Sequence, residues 1–139
     1  MKKGLYIPDK LEERKKFLYS YLSTFIDKKF YCKSIKKYVC FDKLSRKETI
    51  THACISTKGT ELAFYMPYVL ENMKPIKGKQ NIEAQSKTQK KNFLNMSVFS
   101  CIVPGVGYAK ILIGKRKNNN LNYEYSLTDF NYIIKKKKR

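Results

Sequence analysis

The chain has 139 residues, 42% apolar and 14% aromatic, which is enough for a core and excludes wholesale disorder. Thirty Lys and Arg against 11 Asp and Glu give a formal charge of +19, a self-repulsion that a polyanion relieves; nucleic acid is the first expected partner and an anionic membrane surface the second. No apolar run reaches the roughly 18 residues of a membrane span, and GLYIPDKLEER after Met1-Lys2-Lys3 has no signal-peptide core, so a soluble protein of the cytoplasm, or of a eukaryotic nucleus, is expected.

Residues 9–31 read as an amphipathic helix. Asp9 and Glu12 have capping-box spacing, and Leu11, Leu18, Leu22 and Phe25 recur at helical intervals. Residues 36–41, KKYVCF, read as a strand, DKLSRK as a turn, and 47–56 as the partner strand of a hairpin, with Thr49, Thr51, Ala53 and Ile55 on one face. Residues 60–73 are dense in apolar side chains and read as a buried helix capped by Thr60. Pro67 either kinks it or begins it. Residues 74–93 carry six Lys and few bulky apolar groups, and read as a long, mobile polar loop. Three strands follow, at 95–103, 107–115 and 121–128, with Pro104-Gly105 and the Asn-rich run before 121 as turns. The expected fold is therefore α+β: an N-terminal amphipathic helix, a small antiparallel sheet made of a hairpin and a C-terminal meander, and a second short helix. A single domain over 1–134 would contain the loop at 74–93 and precede a basic tail, 135–139.

The stretch VPGVGYAKILIGKRK raises the question of a phosphate loop. A Walker loop ending at Gly114-Lys115 needs glycine at 109, which is Ala109, and Ser or Thr where Arg116 stands. A dinucleotide loop starting at Gly105 and Gly107 needs glycine where Lys110 stands. Both motifs also need a following helix, whereas AKILIGK reads as strand. No cofactor is expected.

Binding is expected through three basic segments. The loop supplies Lys74, Lys77, Lys79, Lys87, Lys90 and Lys91. The sheet supplies Tyr108, Lys110, Lys115, Arg116 and Lys117, with Tyr108, Lys110, Leu112 and Arg116 on one face of their strand. The tail supplies Lys135, Lys136, Lys137, Lys138 and Arg139, a run that also resembles a nuclear-import signal. Lysine neutralises phosphate and tyrosine stacks on unpaired bases, so RNA is favoured over DNA and a ribonucleoprotein such as the ribosome is a fitting setting. No fingerprint of a known nucleic-acid-binding motif is present.

Two alternatives compete with this reading. His52, the one histidine, could centre a metal-independent ribonuclease of the toxin or phage-effector kind, with Lys110, Arg116 or a Tyr as cationic or polar support. The chain could instead inhibit a nucleic-acid enzyme, although a mimic of nucleic acid should be acidic. No metal is expected. Cys32, Cys40, His52 and Cys54 would form a zinc site only if two adjacent strands brought them together; otherwise the four cysteines, at 32, 40, 54 and 101, read as buried free thiols.

Overall fold

The computed structural model describes residues 6–131, and the expected basic tail lies outside them. The fold is α+β. The elements run α1 (Leu11–Ser23), β1 (Lys28–Cys32), β2 (Lys37–Phe41), α2 (Lys43–Ala53), α3 (Thr57–Phe64), α4 (Met66–Asn72), β3 (Lys74–Pro75), α5 (Lys87–Asn92), β4 (Phe93–Val103), β5 (Gly107–Arg116) and β6 (Asn122–Asp129). The six strands form one mixed sheet in the order β1-β2-β6-β5-β4-β3, antiparallel throughout except where β2 runs parallel to β6.

The first helix ends eight residues earlier than its periodicity suggests. Asp27 takes a left-handed backbone (φ 68), and its N–H donates to the Phe41 carbonyl, turning the chain into β1. Asp9 does not cap α1. Lys10 holds the cap position without a side-chain bond, and the Asp9 carbonyl instead accepts from Arg14. Arg14 is buried and also donates Nε–H to the Cys54 carbonyl, so it fastens the start of α1 to the end of α2.

The expected hairpin changes partner. β2 is a strand as read, but it pairs with β1, and residues 43–53 are helix α2. Asp42 and Ser45 form a reciprocal capping box. The buried stripe of α2 is Ser45, Thr49 and Ala53, at helical spacing but with little hydrophobic signal. At Pro67 the chain breaks into two helices, with α3 ending at Phe64 and Pro67 in the first turn of α4. Ser56, not Thr60, caps α3.

Strand β2 pairs with β6 only at Asn122 and Tyr123. Beyond them α2 packs along β6, and the Ser45 hydroxyl donates to the Glu124 carbonyl (2.6 Å), satisfying a polar group that a neighbouring strand would otherwise cover. The main core lies between the helices and one sheet face. Leu18, Leu22, Leu62, Met66 and Leu70 meet Val39, Phe41, Phe99, Ile111 and Leu127 there. On the other face a smaller cluster of Phe93, Met96, Tyr125 and Ala84 sits with Ile82 and Leu112.

The turns of the meander follow the sequence. Gly105 has φ +75, the positive angle that a Pro-Gly turn demands, and the Val106 N–H closes the turn on the Val103 carbonyl (2.9 Å). Asn120 takes the left-handed conformation in the next turn (φ 60). Gly114 has a different role. Phe93 packs against its backbone, so that a methyl group there overlaps the ring, and the ring in turn carries the Arg116 guanidinium at 5.1 Å. Gly114→Ala is therefore expected to destabilise the fold by about 1–3 kcal/mol. Chemical denaturation measures it, and Phe93→Leu in the same chain should recover part of the loss.

Candidate nucleic-acid interface

The Lys-rich segment is docked rather than free. It forms β3, a β-bridge between Ile82 and Met96, and α5. Its main chain bonds β4 repeatedly: Ile76 N–H to the Val98 carbonyl, Val98 N–H to that of Lys79, and Ile82 with Met96 in both directions. The anchors are few and spaced apart, with Ala84, Gln89 and Phe93 buried and Ile82 partly so. The hydroxyl of Tyr125 meets Ser86 and Gln89 from the segment and Glu48 from α2, and burial pushes its pKa up. The segment is thus a strap on the sheet. It presents Lys74, Lys77, Lys79, Lys87, Lys90 and Lys91 outward, all exposed.

The sheet residues divide. Tyr108, Lys110, Leu112 and Arg116 share a face, as their strand spacing requires. Tyr108 stacks on Phe130 (centroids 4.6 Å apart, 6° between planes). Arg116 is not a free cation: it is ion-paired with Asp42 and lies between Phe93 and Tyr123, 4.6 Å above the latter ring. Its charge is consumed in joining the start of α2 to the sheet. Lys115 points to the helix-bearing face and lines a cleft with Lys37, Gln80, Asn81, Ser97 and Asn122. Lys117 is exposed beyond β5.

The structure also gathers a group that the sequence reading leaves out. In the β1–β2 register, Tyr31 opposes Tyr38 and Lys29 opposes Cys40, while Phe30 opposes Val39 and Cys32 opposes Lys37. Phe30, Cys32 and Val39 pack into the main core, so Lys29, Tyr31 and Tyr38 occupy the face turned away from the helices. Tyr31 and Tyr38 are 44% and 51% exposed, with ring centroids 5.3 Å apart, and the Lys29 ammonium lies 4.5 Å above the Tyr38 ring. Lys33, Lys36 and Lys37 stand exposed around the connecting turn. Cys40 pairs across to Tyr123 in β6, which continues this face toward the centre of the sheet. The available signal is the alternation in KKFYC, Lys29 and Tyr31 against Phe30 and Cys32, hidden inside an apparent helix.

The four candidate zinc ligands are dispersed. Cys32 faces the helices, Cys40 the opposite side of the same hairpin, Cys54 is buried at the end of α2, and His52 lies part-exposed on α2. The expected zinc geometry required 47–56 to be a strand, and that segment is helical. Among the described residues no group of three or more His, Cys, Asp or Glu could hold a metal ion. His52 stands 3.6 Å from Glu48, one turn earlier on its own helix. Burial raises the thiol pKa values of Cys40, Cys54 and Cys101, the last to about 11, which keeps these thiols protonated and poorly nucleophilic at neutral pH.

Glu124 is fully buried between β6 and α2. The Thr49 hydroxyl donates to its Oε2 (2.6 Å), while Oε1 has no hydrogen-bond partner. Burial pushes its pKa up to about 8, with Asp42 and Glu48 adding to the rise and the Thr49 bond opposing it.

No family model matches the chain, and no match was found among curated proteins or solved structures. Among the described residues no helix is long and apolar enough to cross a membrane.

The raised Glu124 pKa fixes the sign of a pH effect. The folded state holds this proton more tightly than the unfolded chain does. Its contribution to stability is therefore complete below about pH 4.5 and is lost as pH rises to about 8. Denaturant unfolding from pH 5 to 9 should show wild type losing stability more steeply than Glu124→Gln, by up to about 1.4 kcal/mol per pH unit inside that window. Parallel pH profiles would mean that the carboxylate is satisfied when ionised.

Proposed function

We propose that the protein binds single-stranded nucleic acid, RNA in preference to DNA, without enzymatic turnover. The observation that carries this reading is the pair Tyr31 and Tyr38 beside Lys29 on the outer face of the β1–β2 hairpin. Exposed rings next to cations suit a strand whose bases are unpaired. A base can lie on each ring, and the ammonium groups neutralise the phosphates between bases. A duplex keeps its bases stacked on each other and offers these rings little. RNA is favoured because unpaired, splayed bases are the usual targets of sequence-specific RNA recognition.

The strap supports the same reading by another route. The main chain beside Lys74, Lys77 and Lys79 is bonded to β4, and Lys87, Lys90 and Lys91 stand on helix α5, so less conformational entropy is lost on contact with phosphate than for a free loop. A charge of +19 over 139 residues also suits a ribonucleoprotein setting, where phosphates surround the protein. The ribonuclease alternative gains no specific support, since His52 forms an ordinary pair with Glu48 along a helix.

Binding to a labelled single-stranded RNA, a DNA of the same sequence and the RNA duplex, at several salt concentrations, tests the proposal. The RNA strand should bind tightest. Tyr31→Ala with Tyr38→Ala should cost about 1–3 kcal/mol per stacked base while leaving the salt slope nearly unchanged. Lys87→Gln with Lys90→Gln and Lys91→Gln should instead make the log-log salt slope shallower, by about 0.7 for each phosphate no longer neutralised. Affinity unchanged in the tyrosine variant, or tighter binding to the duplex, contradicts the proposal.

A further inference from the structure

Helices α1 and α2 flank an open groove of about 440 Å³ on the helical side of the sheet, the side away from Tyr31 and Tyr38. Lys15 and Tyr19 line it from α1, and Lys43, Arg46, Lys47 and Ile50 line it from α2. Four cations and no carboxylate therefore line one concavity, with Lys15 alone of the four lying 4.0 Å from an acidic neighbour, Glu12. The volume falls within the range of about 300–1,000 Å³ usual for small-ligand sites.

Three features distinguish the groove from a solvated lysine patch. The Arg46 guanidinium lies 4.1 Å above the Tyr19 ring, and its Nη1 donates to the Ser23 hydroxyl (2.9 Å), so one cation is held in place before any ligand arrives. Tyr19 is nevertheless 53% exposed, leaving ring surface for a second planar group. Ile50 contributes an apolar wall that a bare inorganic anion would not use.

We propose that this groove binds a nucleoside phosphate. The base lies against Tyr19 and Ile50, and the phosphate is held by Lys43, Arg46 and Lys47. The mutual repulsion of the cations is relieved by the phosphate, and the ring supplies the part of recognition that phosphate alone cannot. The same chemistry is offered by a free nucleotide and by a nucleotide within a strand. The site does not depend on the reading of the β1–β2 face, because it shares no residue with it.

The test is a ¹H–¹⁵N NMR titration of the full chain with adenosine 5′-monophosphate, with inorganic phosphate, and with a 5′-phosphorylated RNA decamer. The adenosine nucleotide should shift the amides of residues 15–20 and 43–51 and bind more tightly than phosphate. Lys43→Gln with Lys47→Gln should weaken it about tenfold or more, as expected when charge-assisted bonds are removed. Tyr19→Leu should weaken the nucleotide about tenfold more than it weakens phosphate, because the ring steadies Arg46 for either ligand but stacks only on a base, and that difference separates stacking from charge. Tyr31→Ala with Tyr38→Ala should leave nucleotide binding unaltered. If the decamer shifts the groove amides at lower concentration than the mononucleotide, the source is a strand; equal or weaker decamer binding identifies a free nucleotide. The proposal is overturned if neither nucleotide nor decamer shifts these amides, if the lysine variant binds as wild type does, or if Tyr19→Leu weakens phosphate and nucleotide alike.

Discussion

The contact between α2 and β6 is the constraint on which the remaining structure depends. Ser45 and Thr49 reach from the helix to the carbonyl and carboxyl of Glu124, and Ala53 continues the buried stripe into the main core. Because the contact is polar at its centre, it needs partners rather than area alone: a buried carboxyl without its bond costs far more than an exposed one. Seating α2 there closes the edge that β2 leaves open. It turns Arg46 and Lys47 toward α1 and places Asp42 where Arg116 can join helix to sheet. The groove between α1 and α2 is thus a consequence of a buried polar contact on the opposite side of α2.

This arrangement also explains why so large a positive charge is compatible with a packed core. The buried cation Arg14 is bonded to main-chain carbonyls at a helix junction, and part-buried Arg116 is paired with a carboxylate and lies against two aromatic rings, its buried Nε lacking a hydrogen-bond partner. Many of the lysines stay at the surface, on the strap, the β1–β2 hairpin and the outer sides of α1 and α2. The β1–β2 face and the α1–α2 groove both combine tyrosine rings with cations. The first is an exposed strand pair with its two rings edge to face, whereas the second is a concavity between helices.

Much of the fold is legible in the sequence where hydrophobic period and turn chemistry agree. The meander falls within one or two residues of its expected strands, because alternation in AKILI and the Pro-Gly turn give the same answer. The α2 region fails for a physical reason: its buried stripe is Ser45, Thr49 and Ala53, whose burial comes from Glu124, a long-range partner that no local window contains. β1 is missed because Leu18, Leu22 and Phe25 carry a helical period into a segment that Asp27 redirects. The strap shows few apolar residues because Ile82, Ala84 and Phe93 suffice to seat it while the main chain does the bonding. Of the candidate site, the basic segments are visible from composition. Tyr31 and Tyr38 become visible only once their strands pair.

Photochemical crosslinking of the full chain to single-stranded RNA, followed by mass spectrometry of the adducts, addresses the binding account most directly. The chain has no Trp and 11 Tyr, so a base lying on a tyrosine leaves its mark without competing tryptophan chemistry. The account predicts nucleotide adducts on the peptide spanning residues 28–41, at Tyr31 or Tyr38. RNA that binds under the same conditions but leaves that peptide unmodified, with adducts confined to other parts of the chain, would contradict it.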